Sequence, residues 1–267
     1  MVKIGVVIPA RNEEKYIGKT LASISNQSLK PDKVVVVDDG SSDKTADIAK
    51  QFDAVVLCRP DRGYSALGMP EEAEVRNVGF QFLDKIGSFD YVMVLDSDQI
   101  LSKDYIKKII SEMQRNKKLV LASGRIEGEM AKAPRGSGRI YRFAFLREIG
   151  FFPINYGAES YTMCKALEKG YEIRVVQNAI SFGQRRTSFS CKKMYTLGKG
   201  KKALHYDPIY VLWDFLLNFF MSPKAGICMM SGFLSSDVQK YSDLDFGKWQ
   251  RKTLIKRLMS KAKNAMM

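Results

Sequence analysis

An open, mostly parallel α/β sheet is the fold class predicted for this 267-residue chain, and three observations predict it. Apolar runs recur as "KIGVVIP" (3–9), "KVVVVDD" (33–39) and "DYVMVLDSD" (90–98), with "AVVLC" (54–58) as a fourth candidate. Each is continuous rather than alternating, which suits strands covered on both faces. Helical patterns of roughly ten to fifteen residues lie between them, as in successive strand–helix–strand units.

The first run leads into Pro9-Ala10-Arg11-Asn12-Glu13, after which Tyr16, Ile17, Thr20, Leu21 and Ile24 recur at helical spacing. The second ends in Asp38-Asp39. Two carboxylates about 5 Å apart repel by roughly 3 kcal/mol at an effective dielectric near 20. The pair therefore needs a cation, hydrogen-bond donors, a helix N-terminus or a ligand. Ser41 or Ser42 is expected to cap a helix starting near Asp43. The third run ends in Asp96-Ser97-Asp98. Ligands of such sheets bind beyond the carboxyl ends of the strands. One acidic pair there reads as a turn or cap; three polar clusters at the same end of three strands read as one ligand-binding rim. "EGEMAKAPRGSGR" (127–139) is expected to be a mobile loop, either a lid or an ordinary connection.

Hydrophobic residues at 45% and charged residues at 27% fit a folded globular protein of one large domain or two small ones. Cys58, Cys164, Cys191 and Cys228 lie far apart with no CxxC. This argues against a zinc site or a disulfide framework and suits a reducing cytosol. "MVKIGVVIPARNEE" does not read as a signal peptide, because its apolar run is short and leads straight into polar residues. The net charge of +14 is concentrated late: residues 185–267 hold 16 Lys+Arg against 5 Asp+Glu, and residues 1–184 hold 27 against 24. Such a basic module suits nucleic acid, anionic lipid or a phosphorylated substrate.

"VVIPARNEE", "VVVVDDGSSDKT", "EVRNVG" (74–79) and "VMVLDSDQIL" (92–101), in this order and spacing, resemble the family 2 glycosyltransferases of GT-A fold over about residues 3–180. The resemblance implies a single Rossmann-like, mixed but mostly parallel sheet flanked by helices, with a helical basic extension. It places the catalytic domain at 1–204, with a nucleotide-sugar half at about 1–100 and an acceptor half at 101–204. Residues 205–267 form the extension. It implies transfer of a sugar from a nucleoside diphosphate donor, with inversion, to an acceptor hydroxyl or phosphate. Pro9, Arg11 and Glu13 match nucleoside contacts, and Asp39 with Asp38 matches the acid that reads base or ribose. Arg76 matches a residue near the nucleotide, with Asn77 and Gly79 shaping its segment. Asp96, Ser97 and Asp98 form the Asp-x-Asp element. Asp98 is assigned to a divalent metal, with Asp96 shared between metal and ribose. Mg²⁺ or Mn²⁺ suits carboxylate and phosphate oxygens.

An inverting transfer needs a carboxylate to take the acceptor's proton. The family's acidic pair precedes a helix ending in Gly-Tyr; in "NYGAESYTMCKALEKGYEI" (155–173) one acid of that pair remains, making Glu159 the candidate base. The alternative for Glu159 is a helix N-terminal acid favoured by the macrodipole. His205 matches no metal-ligand pattern, and the third protein ligand stays open. "GQRRTS" (183–188) lacks the Arg-Trp pair of processive members, which points to single transfer. Arg185 and Arg186 suit a diphosphate, an acceptor phosphate or a solvated surface.

"DPIYVLWDFLLNFFMSPKAGICMMSGFL" (207–234) is apolar but interrupted by Asp214, Asn218, Ser222, Pro223 and Lys224. Its run from Ile209 to Met221 falls short of the roughly twenty residues a membrane span needs and contains a charge. An interfacial hairpin half sunk in lipid, a helix on the catalytic core and a dimer interface are the three readings. "KWQRKTLIKRLMSKAK" (248–263) reads as a basic amphipathic helix for an anionic membrane surface or as a solvated C-terminal face. The aromatics of this basic end cluster in apolar runs and do not alternate with its basic residues, which disfavours nucleic acid. The expected protein is thus a cytoplasmic enzyme held peripherally on the inner face of the cell membrane, acting on a lipid-linked or membrane-proximal acceptor. The competing classes are a sugar-phosphate nucleotidyltransferase, disfavoured by the glycine-free "PARNEE", and a non-catalytic membrane adaptor.

Overall fold

The computed structural model describes residues 2–129, 131, 133–185 and 190–253. Two compact units are present. The first comprises Met1–Leu67, Glu71–Pro153 and Lys169–Thr187; the second comprises Gly68–Pro70, Ile154–Glu168 and Ser188–Met267. The boundary expected after residue 204 falls inside the second unit, which takes in the helix before it.

The first unit carries an eight-stranded sheet in the order β3-β2-β1-β4-β7-β6-β8-β5. The apolar runs become β1 (Ile4–Ala10), β2 (Lys33–Asp38), β3 (Val55–Cys58) and β4 (Tyr91–Val94), all parallel. Their carboxyl ends therefore share one rim. β7 (Arg139–Arg142) runs antiparallel between β4 and β6 (Leu119–Ile126). Beyond β6 lie β8 (Glu172–Gly183), parallel to it, and the short edge strand β5 (Gln99–Leu101).

Continuous β-branched strands demand cover on both faces, and helices supply it. In α1 (Ile17–Ser25), Ile17, Thr20, Leu21 and Ile24 are buried, as their spacing predicts. On α3 (Glu71–Ile86), Gly79 sits where an added Cβ would come within 2.4 Å of Val7 Cγ1, so the helix lies close on β1. Ile4, Val6, Ile8 and Val36 are fully buried, each worth about 1.5–3 kcal/mol of transfer free energy.

α2 (Thr45–Lys50) starts later than the sequence suggests and has no serine cap. The hydroxyl of Ser41 donates to Asp38, and the Ser42 N–H donates to Asn12 Oδ1 at 2.8 Å. Asp43 instead accepts from the Thr45 N–H at 2.9 Å. Between β6 and β7 the described residues of 127–138 form no regular element, and residues 130 and 132 lie outside the described residues. Arg139, expected in the loop, is a buried residue of β7 whose guanidinium donates to the Pro134 and Arg135 carbonyls.

The first unit also holds α4 (Tyr105–Arg115) and α5 (Phe143–Glu148); in the second unit, α6 (Ala158–Glu168) precedes α7 (Cys191–Ala203), α8 (Pro208–Met221) and α9 (Pro223–Leu234). α7 and α9 touch backbone to backbone: a Cβ on Gly198 would meet the Met229 carbonyl oxygen at 2.0 Å, and one on Gly232 the Tyr195 oxygen at 2.0 Å. A disulfide joins Cys191 to Cys228, tying α7 to α9. This corrects the expectation of four unpaired thiols: residues 37 apart in sequence become neighbours once the two helices cross.

The apolar run at 207–234 is a helical hairpin broken at Pro223, as the sequence suggests. Asp207 caps α8 by accepting from the Ile209 N–H, and Pro208 occupies its first turn, where no amide hydrogen is missed. Of α8's fourteen residues only Val211 is buried. Trp213 is 62% exposed, Phe220 83% and Met221 85%. No helix among the described residues is long and apolar enough to cross a membrane. Residues 246–253 are helical; the rest of the expected basic amphipathic segment, from 254 on, lies outside the described residues.

Candidate active site at the carboxyl edge of the sheet

Backbone pairing gathers the three polar clusters. Pro9 pairs with Val37 and Ala10 with Asp38 across β1 and β2. The Asp39 N–H then donates to the Ala10 carbonyl at 2.8 Å, and on the other side the Leu95 N–H donates to Val7 at 3.1 Å. The residues after β1, β2 and β4 therefore leave the sheet side by side.

The doubled acid after β2 resolves locally. Successive extended residues point to opposite sides, and the two carboxylates find different partners. Asp38 accepts from the Ser41 N–H at 3.2 Å and from the Ser41 hydroxyl, closing a turn. Asp39 is buried, and its Oδ1 receives Arg62 Nη2 at 2.7 Å, with Arg59 Nη1 at 3.5 Å. Both arginines also face Glu74, at 3.1 and 3.9 Å. Charge pairing with Asp39 raises the Arg62 pKa above its usual value despite opposing burial. The arginines reach Asp39 because Gly40, at φ 73°, lets the backbone of Asp61 approach. A Cβ there would lie 2.5 Å from Asp61 Cα.

Arg11 clamps this turn. Its guanidinium donates to the carbonyls of Asp39 and Gly40 and to Asp61 Oδ1 at 2.6 Å. Its visible role is to position the 38–40 turn against the 59–63 loop. Glu13 and Asp98 share a cation: Arg185 donates to Glu13 Oε1 at 2.6 Å and to Asp98 Oδ2 at 2.5 Å, and lies over the Tyr16 ring. Glu13 Oε2 is buried without a hydrogen-bond partner. Burial raises the Glu13 pKa, and Arg185 offsets this only in part.

Buried Arg76 on α3 pairs with Glu72 at 2.9 Å and faces Asp96 at 3.8 Å. The Asp96 N–H donates to Ser137 Oγ at 3.0 Å. Ser97 is buried, and its carbonyl accepts from the Thr20 hydroxyl at 2.7 Å. Asn77 does not face the rim: its amide brackets the Phe152 backbone, donating at 2.7 Å and accepting at 3.0 Å. In the second unit, Glu159 lies in the first turn of α6, and its carbonyl accepts from the Thr162 hydroxyl. His205 is at φ 55° with Nε2 against the Tyr241 carbonyl at 2.9 Å, a structural contact. No group of three His, Cys, Asp or Glu side chains among the described residues is placed to hold a metal ion.

The model for glycosyl transferase family 2 matches residues 5–170. The chain belongs to that family. Its GT-A fold is that of solved family-like structures. The mannosyltransferase PcManGT from Pyrobaculum calidifontis, in complex with GDP-Man and Mn²⁺, superposes with a TM-score of 0.62 at 16% identity, over 96% of this chain and 80% of that one. TarS 1–349 of S. aureus, in complex with UDP, superposes at 0.54 with 21% identity, over 74% and 64%. In sequence, glycosyltransferase GlyA of Streptococcus pneumoniae is 32% identical over 116 residues, which is 42% of this chain and 15% of that protein. An uncharacterized glycosyltransferase of Haemophilus influenzae is 29% identical over 148 residues, or 52% and 55%. The chain thus spans between 15% and 55% of the lengths of these two relatives.

Sequence reasoning missed Arg59 and Arg62 at this family 2 site. The signal was present: "RPDR" follows the fourth apolar run directly, so the strand-end rule that found the other clusters also covers it.

Proposed function

We propose that this family 2 chain is an inverting, nucleotide-sugar-dependent glycosyltransferase with Glu159 as general base. The observation that carries the reading is the meeting of the β1, β2 and β4 termini on one rim, bearing Glu13, Asp39, Asp96 and Asp98 with Arg76 and Arg185. A nucleoside diphosphate needs donors and acceptors for its base and ribose and cations for its phosphates, and the rim offers both. Asp38, Pro9, Arg11 and Ser97 shape the seat.

Asp98, with Asp96, would hold Mn²⁺ or Mg²⁺. Two carboxylates suffice when substrate phosphate and water complete the shell. The hard carboxylate oxygens of Asp96 and Asp98, held on the rim beside Arg76 and Arg185, suit such an ion. When bound, it neutralises charge on the departing diphosphate. Arg185 would leave Asp98 for the diphosphate, exchanging a carboxylate partner for phosphate oxygens. Glu159 would take the proton of the acceptor hydroxyl as the new bond forms.

The exposed apolar face of α8 supports a membrane-proximal, lipid-linked acceptor and peripheral attachment to a membrane; whether that is the inner face of the cell membrane turns on the state of the cysteine pair. The excess of basic residues in 185–267 suits an anionic leaflet. The argument for a cytosolic site from unpaired cysteines falls away with the Cys191–Cys228 bond. A thiol count by mass spectrometry on protein taken from cells tests the compartment: an oxidised pair rejects the reducing side.

The deciding experiment is thermal shift with UDP-, GDP- and dTDP-sugars and Mn²⁺. A ligand at a hundred times its dissociation constant adds about 2.7 kcal/mol; no response to any donor rejects the reading. Glu159→Gln is expected to lower turnover at least 100-fold with nucleotide affinity kept. Near-normal turnover removes Glu159 from the role.

A further inference from the structure

α8 sorts its residues by side. Val211 is buried, Asp214 pairs with Lys201 on α7, and the Asn218 amide donates to the Asp214 carbonyl at 2.7 Å. The polar interruptions of the helix are thus satisfied within the second unit. Ile209, Leu212, Trp213, Leu216, Leu217 and Phe220 are exposed. They recur at i, i+3, i+4, i+7, i+8 and i+11, one continuous stripe along the helix.

Positive charge gathers at one end of that stripe. Gly226 of α9 lies against the Phe219 backbone, and Cys228, farther along the same helix, is bonded to Cys191 at the start of α7. Lys192 and Lys193 follow Cys191, Lys224 lies one turn before Cys228, and all three are exposed. Lysines farther along α7 are paired, Lys199 with Asp237 and Lys201 with Asp214. The three at the end have no carboxylate partner among the described residues.

We infer that α8 lies in the plane of an anionic bilayer, its stripe sunk among the acyl chains and Lys192, Lys193 and Lys224 set on lipid phosphates. The inference rests on the peripheral attachment proposed above and gives it a surface and a lipid charge. Interfacial helices combine an apolar face with basic residues in this way. Each basic residue close to an anionic leaflet is worth about fivefold in partitioning. A second copy packed face to face is the poorer occupant. Between residues 188 and 236 the acids are Asp207 and Asp214, and Arg251 and Lys201 already hold them. Such a partner brings no free carboxylate to the three lysines, whereas acidic lipid brings one negative charge per headgroup.

The test is sedimentation of the full chain with vesicles of phosphatidylcholine alone and of phosphatidylcholine and phosphatidylglycerol in equal parts. Partitioning is expected to be at least about tenfold higher on the mixed vesicles. Lys192→Gln, Lys193→Gln and Lys224→Gln combined should remove most of that difference with circular dichroism unchanged. Phe220→Asp should lower binding to mixed vesicles by about tenfold. In Trp249→Phe, where Trp213 is the sole tryptophan, bromines on the acyl chains should quench its emission. That readout separates α8 from the basic segment beyond residue 253. Equal binding to both vesicles, or binding with Trp213 unquenched, overturns the inference and leaves peripheral attachment intact. Binding to neither overturns both and leaves the transferase reading untouched. A dimer in light scattering that Phe220→Asp dissolves, without vesicle binding, overturns it in favour of a second copy. Quenching of Trp213 is read with α8 unaltered, so a misfolded variant does not decide the matter.

Discussion

β1 and α8 are both strongly apolar and end up in opposite environments. In "IGVVIPA" every residue of β1 is buried except half-buried Pro9. In "PIYVLWDFLLNFFM" one residue of α8 is buried. Apolar content states that a segment leaves water at a gain; the neighbours decide whether the rest of the protein receives it. β1 has a strand on either side and α3 drawn in by Gly79, whereas α8 turns most of its large side chains outward. A contiguous apolar face of this kind marks an interaction surface.

The contrast can be broken by measurement. Both tryptophans, Trp213 and Trp249, belong to the second unit, so their fluorescence follows it, and backbone circular dichroism follows the whole chain. The largest effect is expected from Val36→Asp, an unpaired carboxylate in a fully buried strand. It should cost more than about 4 kcal/mol in urea unfolding, while Phe220→Asp on α8 stays within about 0.5 kcal/mol. Equal losses would mean that α8 is buried in solution.

Next is the covalent tie. Reduction, or Cys191→Ser with Cys228→Ser, is expected to cost about 3–4 kcal/mol for a loop of this length, read by tryptophan fluorescence. Gly79→Ala should cost about 1–3 kcal/mol by overpacking, against a few tenths for Gly87→Ala, where a Cβ meets nothing within 4 Å. A Gly79→Ala protein of wild-type stability would show that α3 can withdraw from β1 freely.

The smallest effect sharpens the comparison by sign. Burial raises Glu13 above its ordinary 4.5, so its contribution to stability is full below that pH and is lost as pH rises through the folded value. Burial also acts against ionised Asp243 in the second unit, but hydrogen bonds from Tyr161 and Lys165 outweigh it and lower the pKa below 3.8. Its contribution is present above 3.8 and lost as pH falls through the folded value. Glu13→Gln should therefore flatten the decline above pH 4.5, and Asp243→Asn the decline at acid pH, in stability measured by urea titration. Parallel slopes would contradict the assignment.

What was legible follows from range. β1, β2 and β4 could be read because a doubly covered strand writes an uninterrupted apolar run, and Asp38, Asp39, Asp96 and Asp98 because they end such runs. β7 could not: "RIYR" looks like loop, and becomes a strand because Arg139 and Arg142 spend their donors on carbonyls and on Tyr141 and Tyr91. The start of α2 was misread because Ser41 is claimed by Asp38. The pairings of Asp39 with Arg62, Asp98 with Arg185 and Cys191 with Cys228 join residues 23, 87 and 37 apart. No local pattern announces such partners.

The joint between α8 and α9 carries a mechanical consequence. Ser222 alone separates the two helices, Pro223 fixes the next backbone angle, and Gly226 lies against the backbone of Phe219. Such a joint leaves little slack for either arm to swing. A tug on the outer ridge at Phe220 is passed along α9 to Cys228 and across the sulfur bridge to Cys191, so the hairpin bears load as a braced strut.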